Sequence, residues 1–202
     1  VRGKTINVAF NGKLRDYQEK IVDKYIDFIN KKYVGFGGGC LEIDTGLGKT
    51  VIAINIISRL KLKTIILVHK EFLMNQWIER INEFMPNVKI GKIQGKTIDI
   101  ENNDVVIAMI QSLSMKDYES DLFGDFGLMI IDEVHHMGAE VFSQALSKVV
   151  TSYTLGLSAT MERKDGLSKV FKMFIGDTIH VEKRDTSKHQ VLVKCLKYKV
   201  DD

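Results

Sequence analysis

Apolar residues at Leu14, Tyr17, Ile21, Tyr25, Phe28 and Ile29 mostly fall three or four positions apart. That spacing lines one face of a helix and predicts one over 14–33. The glycine-rich run 35–39 then stops the helix and lets the chain turn. Short apolar, β-branched runs at 40–43, 64–68, 104–109, 128–131 and 153–157 read as strands. Segments with helical character at 49–60, 71–84 and 140–149 lie among them, and Pro86 closes the second. Strands apolar on both faces, alternating with helices, predict an α/β fold with a central, mainly parallel sheet covered on both sides. Such sheets bind ligands at the carboxyl ends of their strands.

Two of those strand ends carry recognisable chemistry. Asp44-Thr45-Gly46-Leu47-Gly48-Lys49-Thr50 joins the 40–43 strand to the 49–60 helix. Backbone N–H groups of such a loop, with the helix N-terminus, can surround the β- and γ-phosphates of a nucleotide. Gly46 and Gly48 permit the tight turn, Lys49 places a point charge on the phosphates, and the Thr50 hydroxyl can ligate Mg²⁺. The expected nucleotide contacts are therefore Thr45, Gly46, Leu47, Gly48, Lys49 and Thr50. Where the strict phosphate-loop pattern has its first glycine, this chain has Ile43. The second strand end is Asp132-Glu133-Val134-His135-His136. Magnesium-dependent hydrolysis needs one carboxylate to hold the metal, usually through water, and a second group to deprotonate the attacking water. Asp132 suits the first task and Glu133 the second, so Lys49, Asp132 and Glu133 form the expected catalytic set.

Composition narrows the setting. With 202 residues, 45% hydrophobic and 27% charged, the chain suits one globular domain with a sizeable core. Its net charge of +3 neither demands nor opposes a nucleic-acid partner. Cys40 and Cys195 have no metal-site spacing and read as reduced core thiols. His135 and His136 lack a third ligand at metal spacing. Trp77 reads as a packing anchor, and Lys194, Lys197 and Lys199 as decoration of a strand. No apolar run approaches the roughly eighteen residues of a membrane span, and no signal peptide is visible. The chain begins at Val1 and is read as a piece of a longer intracellular protein, in cytoplasm or nucleus, with a viral or virion-associated origin among the options.

Taken in order, these residues resemble the motifs of superfamily-two DExH helicases, within them the XPB-like and phage or viral DNA helicase group. Leu14-Arg15-Asp16-Tyr17-Gln18 resembles the Q motif, and 44–50 the helicase form of the phosphate loop. Segments 68–77, 91–96 and 106–113 resemble motifs Ia, Ib and Ic. Asp132-Glu133-Val134-His135 resembles motif II, and Leu155-Gly156-Leu157-Ser158-Ala159-Thr160 resembles motif III. The resemblance implies a RecA-like (P-loop NTPase) three-layer sandwich over 1–185. Residues 186–202 would then be a linker, or a first strand, towards a second RecA-like domain of the same chain. It implies ATP and Mg²⁺ as cofactors, with Gln18 hydrogen-bonded to adenine and Arg15 packed on the base. His135, Ser158 and Thr160 would couple the ATP site to movement. Lys70, Gly95, Lys96, Gln111 and Ser112 would face nucleic-acid backbone.

The activity so implied is that of an ATP-dependent helicase or duplex translocase, with DNA favoured over RNA. The alternatives are an RNA helicase or sensor of the same type, a restriction or remodelling motor, and a nucleotide-dependent binding switch that does not unwind. In such proteins the second domain brings arginine fingers, worth about 10³–10⁵ in rate. The piece alone is therefore expected to bind nucleotide and turn it over poorly.

Overall fold

Helix α1 (Asp16–Lys32) is followed by strand β1 (Gly37–Ile43), and helices and strands then largely alternate. The order continues α2 (Lys49–Leu60), β2 (Thr64–Val68), α3 (Glu71–Phe84), β3 (Ile90–Gln94), β4 (Thr97–Ile98) and β5 (Val105–Met109). It ends α4 (Ile110–Met115), β6 (Leu128–Asp132), α5 (Ala139–Leu146), β7 (Tyr153–Ser158), α6 (Ser168–Ile175) and β8 (Thr178–Glu182). The computed structural model describes residues 3–32, 37–119, 121–133, 138–159 and 168–185. All eight strands join one sheet in the order β4-β3-β5-β2-β6-β7-β1-β8. Every pairing is parallel except the β3–β4 hairpin.

The central strands β2, β5 and β6 are almost wholly apolar because both sheet faces are covered there. Successive residues of β2 point to opposite sides: Ile66 and Val68 join one core, Ile65 and Leu67 the other. The first core is closed by Ile21, Tyr25 and Ile29 of α1, Ile52 and Ile56 of α2, and Trp77 and Ile81 of α3. The second is closed by Leu113 of α4, Phe142 and Ala145 of α5, and Phe171 and Ile175 of α6. The result is a three-layer sandwich of RecA-like type. Burying a large apolar side chain of this kind contributes about 1.5–3 kcal/mol before entropy is charged against it. Tyr25 also donates its hydroxyl to the Thr154 carbonyl at 2.8 Å, pinning α1 to β7. Cys40 is the buried thiol that its sequence context suggested, and burial pushes its pKa up to about 12.

Helices α2 and α3 and strand β2 occupy the spans predicted for them. The glycine run differs. Gly37, Gly38 and Gly39 are not a turn but the first three residues of β1. A Cβ on Gly38 would stand 1.8 Å from Thr154 Oγ1 and 2.7 Å from the Ile175 carbonyl oxygen. One on Gly39 would stand 2.5 Å from Ile179 Cδ1. Glycine is needed there because β1 is squeezed between β7 and β8 against the end of α6. Gly38→Ala is therefore expected to destabilise the fold by about 1–3 kcal/mol, the usual range for overpacking. Urea unfolding followed by circular dichroism should show a lowered midpoint at unchanged slope. An unchanged midpoint would mean the strand relaxes at no cost. The predicted 140–149 helix is shorter than expected, ending at Leu146, and β3, β4, α4, α6 and β8 were not anticipated. Among the described residues no helix is long and apolar enough to cross a membrane.

Candidate nucleotide site and the adjoining rim

Asp132 of β6 and Leu41 of β1 both lie opposite Leu157 of β7. The carboxyl ends of these three strands therefore open at one level, and the loop 44–48 leaves β1 there. Gly46 and Gly48 have φ of +86° and +84°, in the left-handed region that costs a residue with a side chain about 1–2 kcal/mol. Gly48 also caps the start of α2, and a Cβ on it would come 2.4 Å from Gln18 Nε2. Ile43, which takes the place of the pattern's first glycine, is fully buried in the core as the last residue of β1.

Lys49 and Thr50 are the first two residues of α2. Across the strand ends, Lys49 Nζ pairs with Glu133 Oε1, and the two side chains are only 11% and 21% exposed. Glu133 follows β6 with φ +53°, a left-handed conformation unusual for a residue with a side chain. The adjacent Asp132 is buried, and its Oδ2 accepts a hydrogen bond from the Trp77 indole N–H at 2.8 Å. Burial raises the Asp132 pKa above the usual carboxylate range; the Trp77 bond opposes that rise, Glu133 adds to it, and Lys49 opposes it. Ser158, the last residue of β7, is fully buried and lies opposite Glu42 of β1. His135 and Thr160 lie outside the described residues, as do Val134, His136, Cys195, Lys194, Lys197, Lys199 and the whole of 186–202.

Among the described residues no group of three or more His, Cys, Asp or Glu could hold a metal by itself. Thr50 and Asp132 offer a hydroxyl and a carboxylate, both hard oxygen donors. Such a set fits Mg²⁺, which is commonly held by one or two protein oxygens together with substrate phosphates and water.

The Q-motif residues close the other side of the loop. Gln18 Nε2 donates to the Leu47 carbonyl at 3.2 Å, and Tyr17 donates its hydroxyl to the same oxygen at 2.9 Å. Gln18 Oε1 accepts from the Arg15 backbone N–H at 3.0 Å. An amide has two N–H donors and two acceptor lone pairs, so Gln18 retains one of each for a base edge. Arg15 and Tyr17 line an open groove of about 670 Å³ with Lys13, Leu14, Asp16 and Lys20. Thr45 is exposed on the loop.

Two features escaped the sequence reading. The Trp77 bond to Asp132 joins residues 55 positions apart. The end of β8 also lies against the phosphate loop: Arg184 donates its backbone N–H to Asp44 Oδ2 at 2.8 Å, and Lys183 pairs with Glu42 at 2.5 Å. A Cβ built on Gly46 would stand 2.9 Å from Arg184 Nη2. The only local signal was a basic pair just before 186–202, which says nothing about which strand it sits beside.

The residues expected to face nucleic acid gather at the neighbouring ends of β3, β5 and β2. Gly95 and Lys96 form the two-residue tip of the β3–β4 hairpin, with Gly95 at φ +56°. The Gly95 N–H donates to Ser112 Oγ at 3.0 Å, and Lys116 Nζ donates to the Gly95 carbonyl. The Gly95 amide is therefore already engaged, while the Ser112 hydroxyl can still donate its own proton. Gln111 Nε2 donates to the His69 carbonyl at 3.0 Å, tying the end of β5 to that of β2. Lys70 precedes α3 with its ammonium 5.9 Å from the centre of the exposed Phe72 ring.

A mainly parallel sheet with a glycine-rich loop after β1 and an acidic pair at the end of β6 defines the P-loop NTPase class in its RecA-like form. The family described as "Type III restriction enzyme, res subunit" matches residues 11–163, and the chain belongs to it. A protein of Acanthamoeba polyphaga mimivirus named as a candidate ATP-dependent RNA helicase is 38% identical over 192 residues, covering 95% of this chain and 36% of the viral protein. The "DNA 3'-5' translocase XPB2" of Sulfurisphaera tokodaii is 33% identical over 168 residues, covering 83% of this chain and 35% of the translocase. The chain thus spans little more than a third of the length of either relative. The crystal structure of the UvsW helicase from bacteriophage T4 shares the fold, with a TM-score of 0.68 at 17% identity, over 88% of this chain and 63% of the phage protein.

Proposed function

We propose that this chain is the first of two RecA-like domains of an ATP-driven motor that moves on nucleic acid. The observation that carries the reading is the meeting of Lys49 and Glu133 across β7, beside the buried Asp132. Lys49 and Glu133 occupy each other here, and nucleotide phosphates would compete for the lysine. With Lys49 on the β- and γ-phosphates, Glu133 is released to orient water and accept its proton. Thr50 and Asp132 would hold Mg²⁺, which supplies neutralisation of phosphate charge. Arg15, Tyr17 and Gln18 offer a flat cation, a ring and an amide edge to the base, a set suited to adenine. The second RecA-like domain would follow in the longer protein and complete the catalytic groups.

DNA is the favoured track, because the family's description is of a restriction enzyme and the archaeal relative is named as a DNA translocase. RNA is the second reading, on the name of the mimivirus relative. The nucleic-acid path proposed here is the rim of Lys70, Gly95, Lys96, Gln111 and Ser112. Fluorescence anisotropy over a salt series, on duplex DNA, single-stranded DNA and RNA, tests it. Lys70→Ala with Lys96→Ala should weaken binding to all sequences alike. The log–log salt slope should fall by about 0.9 for each lost contact to duplex phosphate. An unchanged slope would remove this rim from the path, and tighter binding to RNA than to duplex DNA would favour the second reading.

A further inference from the structure

Trp77 is the sole tryptophan in the chain, and it is fully buried on α3 within the first core. Hydrophobic burial accounts for its ring but not for where its one polar atom points. The indole N–H meets Asp132 Oδ2 at 2.8 Å, and both residues are buried. An indole nitrogen can only donate, so this contact has a fixed polarity. A rigid donor on one carboxylate oxygen restricts rotation of the group, and the Glu133 backbone N–H bonds the same carboxylate from its own side. The ring itself cannot swing, because it is packed among helix and sheet side chains at 1% exposure.

We infer that Trp77 is a positioning residue for the metal-holding carboxylate of Asp132. This rests on the nucleotide-site reading above and adds to it a residue outside the phosphate loop and the acidic pair. Outer groups that hold a metal-binding side chain in place typically account for about 10–100-fold in metal affinity.

The test is calorimetry of ADP binding to the 202-residue chain over a Mg²⁺ series, for the unaltered protein and for Trp77→Phe. The variant keeps an aromatic ring in the core and removes the N–H. The Mg²⁺ concentration that half-saturates the ADP complex should rise about tenfold or more, while ADP affinity in the presence of a chelator serves as the internal reference. A Mg²⁺ half-point that does not move overturns the proposal. So does an equal loss of ADP affinity with and without Mg²⁺, which would mark a general collapse of the site.

A second measurement needs no variant. Tryptophan emission from the ADP-bound protein should change as Mg²⁺ is added, with the calorimetric half-point, because Trp77 is the sole indole and bonds the carboxylate concerned. Silent emission across a calorimetrically visible Mg²⁺ titration also overturns it. If the unaltered chain binds no ADP at all, the nucleotide reading itself fails and this inference falls with it.

Discussion

Lys49→Ala is expected to remove most of the affinity for ADP and ATP. A hydrogen bond to a charged group is worth roughly 1.5–3 kcal/mol, and each 1.4 kcal/mol is about a factor of ten in affinity. The structure points to the upper end of that range. Lys49 is the partner of Glu133, and both side chains are largely shielded from water. Removing the lysine therefore leaves a partly buried carboxylate facing the phosphates as well as deleting the cation. The loss should reach the order of 100-fold. Adding Glu133→Gln to Lys49→Ala removes the repulsion and should restore part of the affinity, an interaction energy that a double-mutant cycle can isolate. Calorimetry with ADP, ATP and GDP reads all of this, with GDP expected to bind more weakly than ADP. Equal affinity of Lys49→Ala and the unaltered chain would sink the phosphate-loop assignment.

Glu133→Gln alone is expected to separate binding from chemistry in the longer protein. The amide keeps the size of the side chain but cannot accept the proton of the attacking water. Loss of a general base costs about 10²–10⁴ in rate. Nucleotide affinity should hold or tighten, because Lys49 no longer has to leave an ion pair to reach the phosphates. A steady-state ATPase assay with nucleic acid present, beside calorimetry on the same protein, distinguishes the two effects. Near-normal turnover would mean that some other group takes the proton. A parallel loss of binding and turnover would instead give the Lys49–Glu133 pair a structural task.

Much of this site was legible in the chain before any fold was known. The loop 44–50 and the pair Asp132-Glu133 each sit at the end of an apolar run, and local spacing is enough to place them at strand ends. Helix α2 begins at Lys49, directly after the glycine-rich loop, where the sequence placed it. The apolar positions Ile21, Tyr25 and Ile29, picked out by helical spacing, are fully buried. Local patterns failed where a residue's surroundings come from distant chain. Gly37, Gly38 and Gly39 look like a turn by composition, yet they are strand residues paired with β7, and Thr154, Ile175 and Ile179 leave no room for side chains on Gly38 and Gly39. Strand β8 escaped because its burial is incomplete and only its pairing with β1 makes it part of the sheet.

By itself, then, the sequence determined much of the alternation of helix and strand, the places of the glycine-rich loop and the acidic pair at strand ends, and the family. These depend on periods of two and 3.6 residues and on short motifs, which are local properties of a chain. The tertiary structure alone decided what stands beside what. It placed β7 between the two motif-bearing strands, so that Lys49 meets Glu133. It brought Trp77 to Asp132 and the end of β8 to the phosphate loop. Strand order follows from which apolar faces can be buried together over the whole sheet, and no window of neighbouring residues contains that sum.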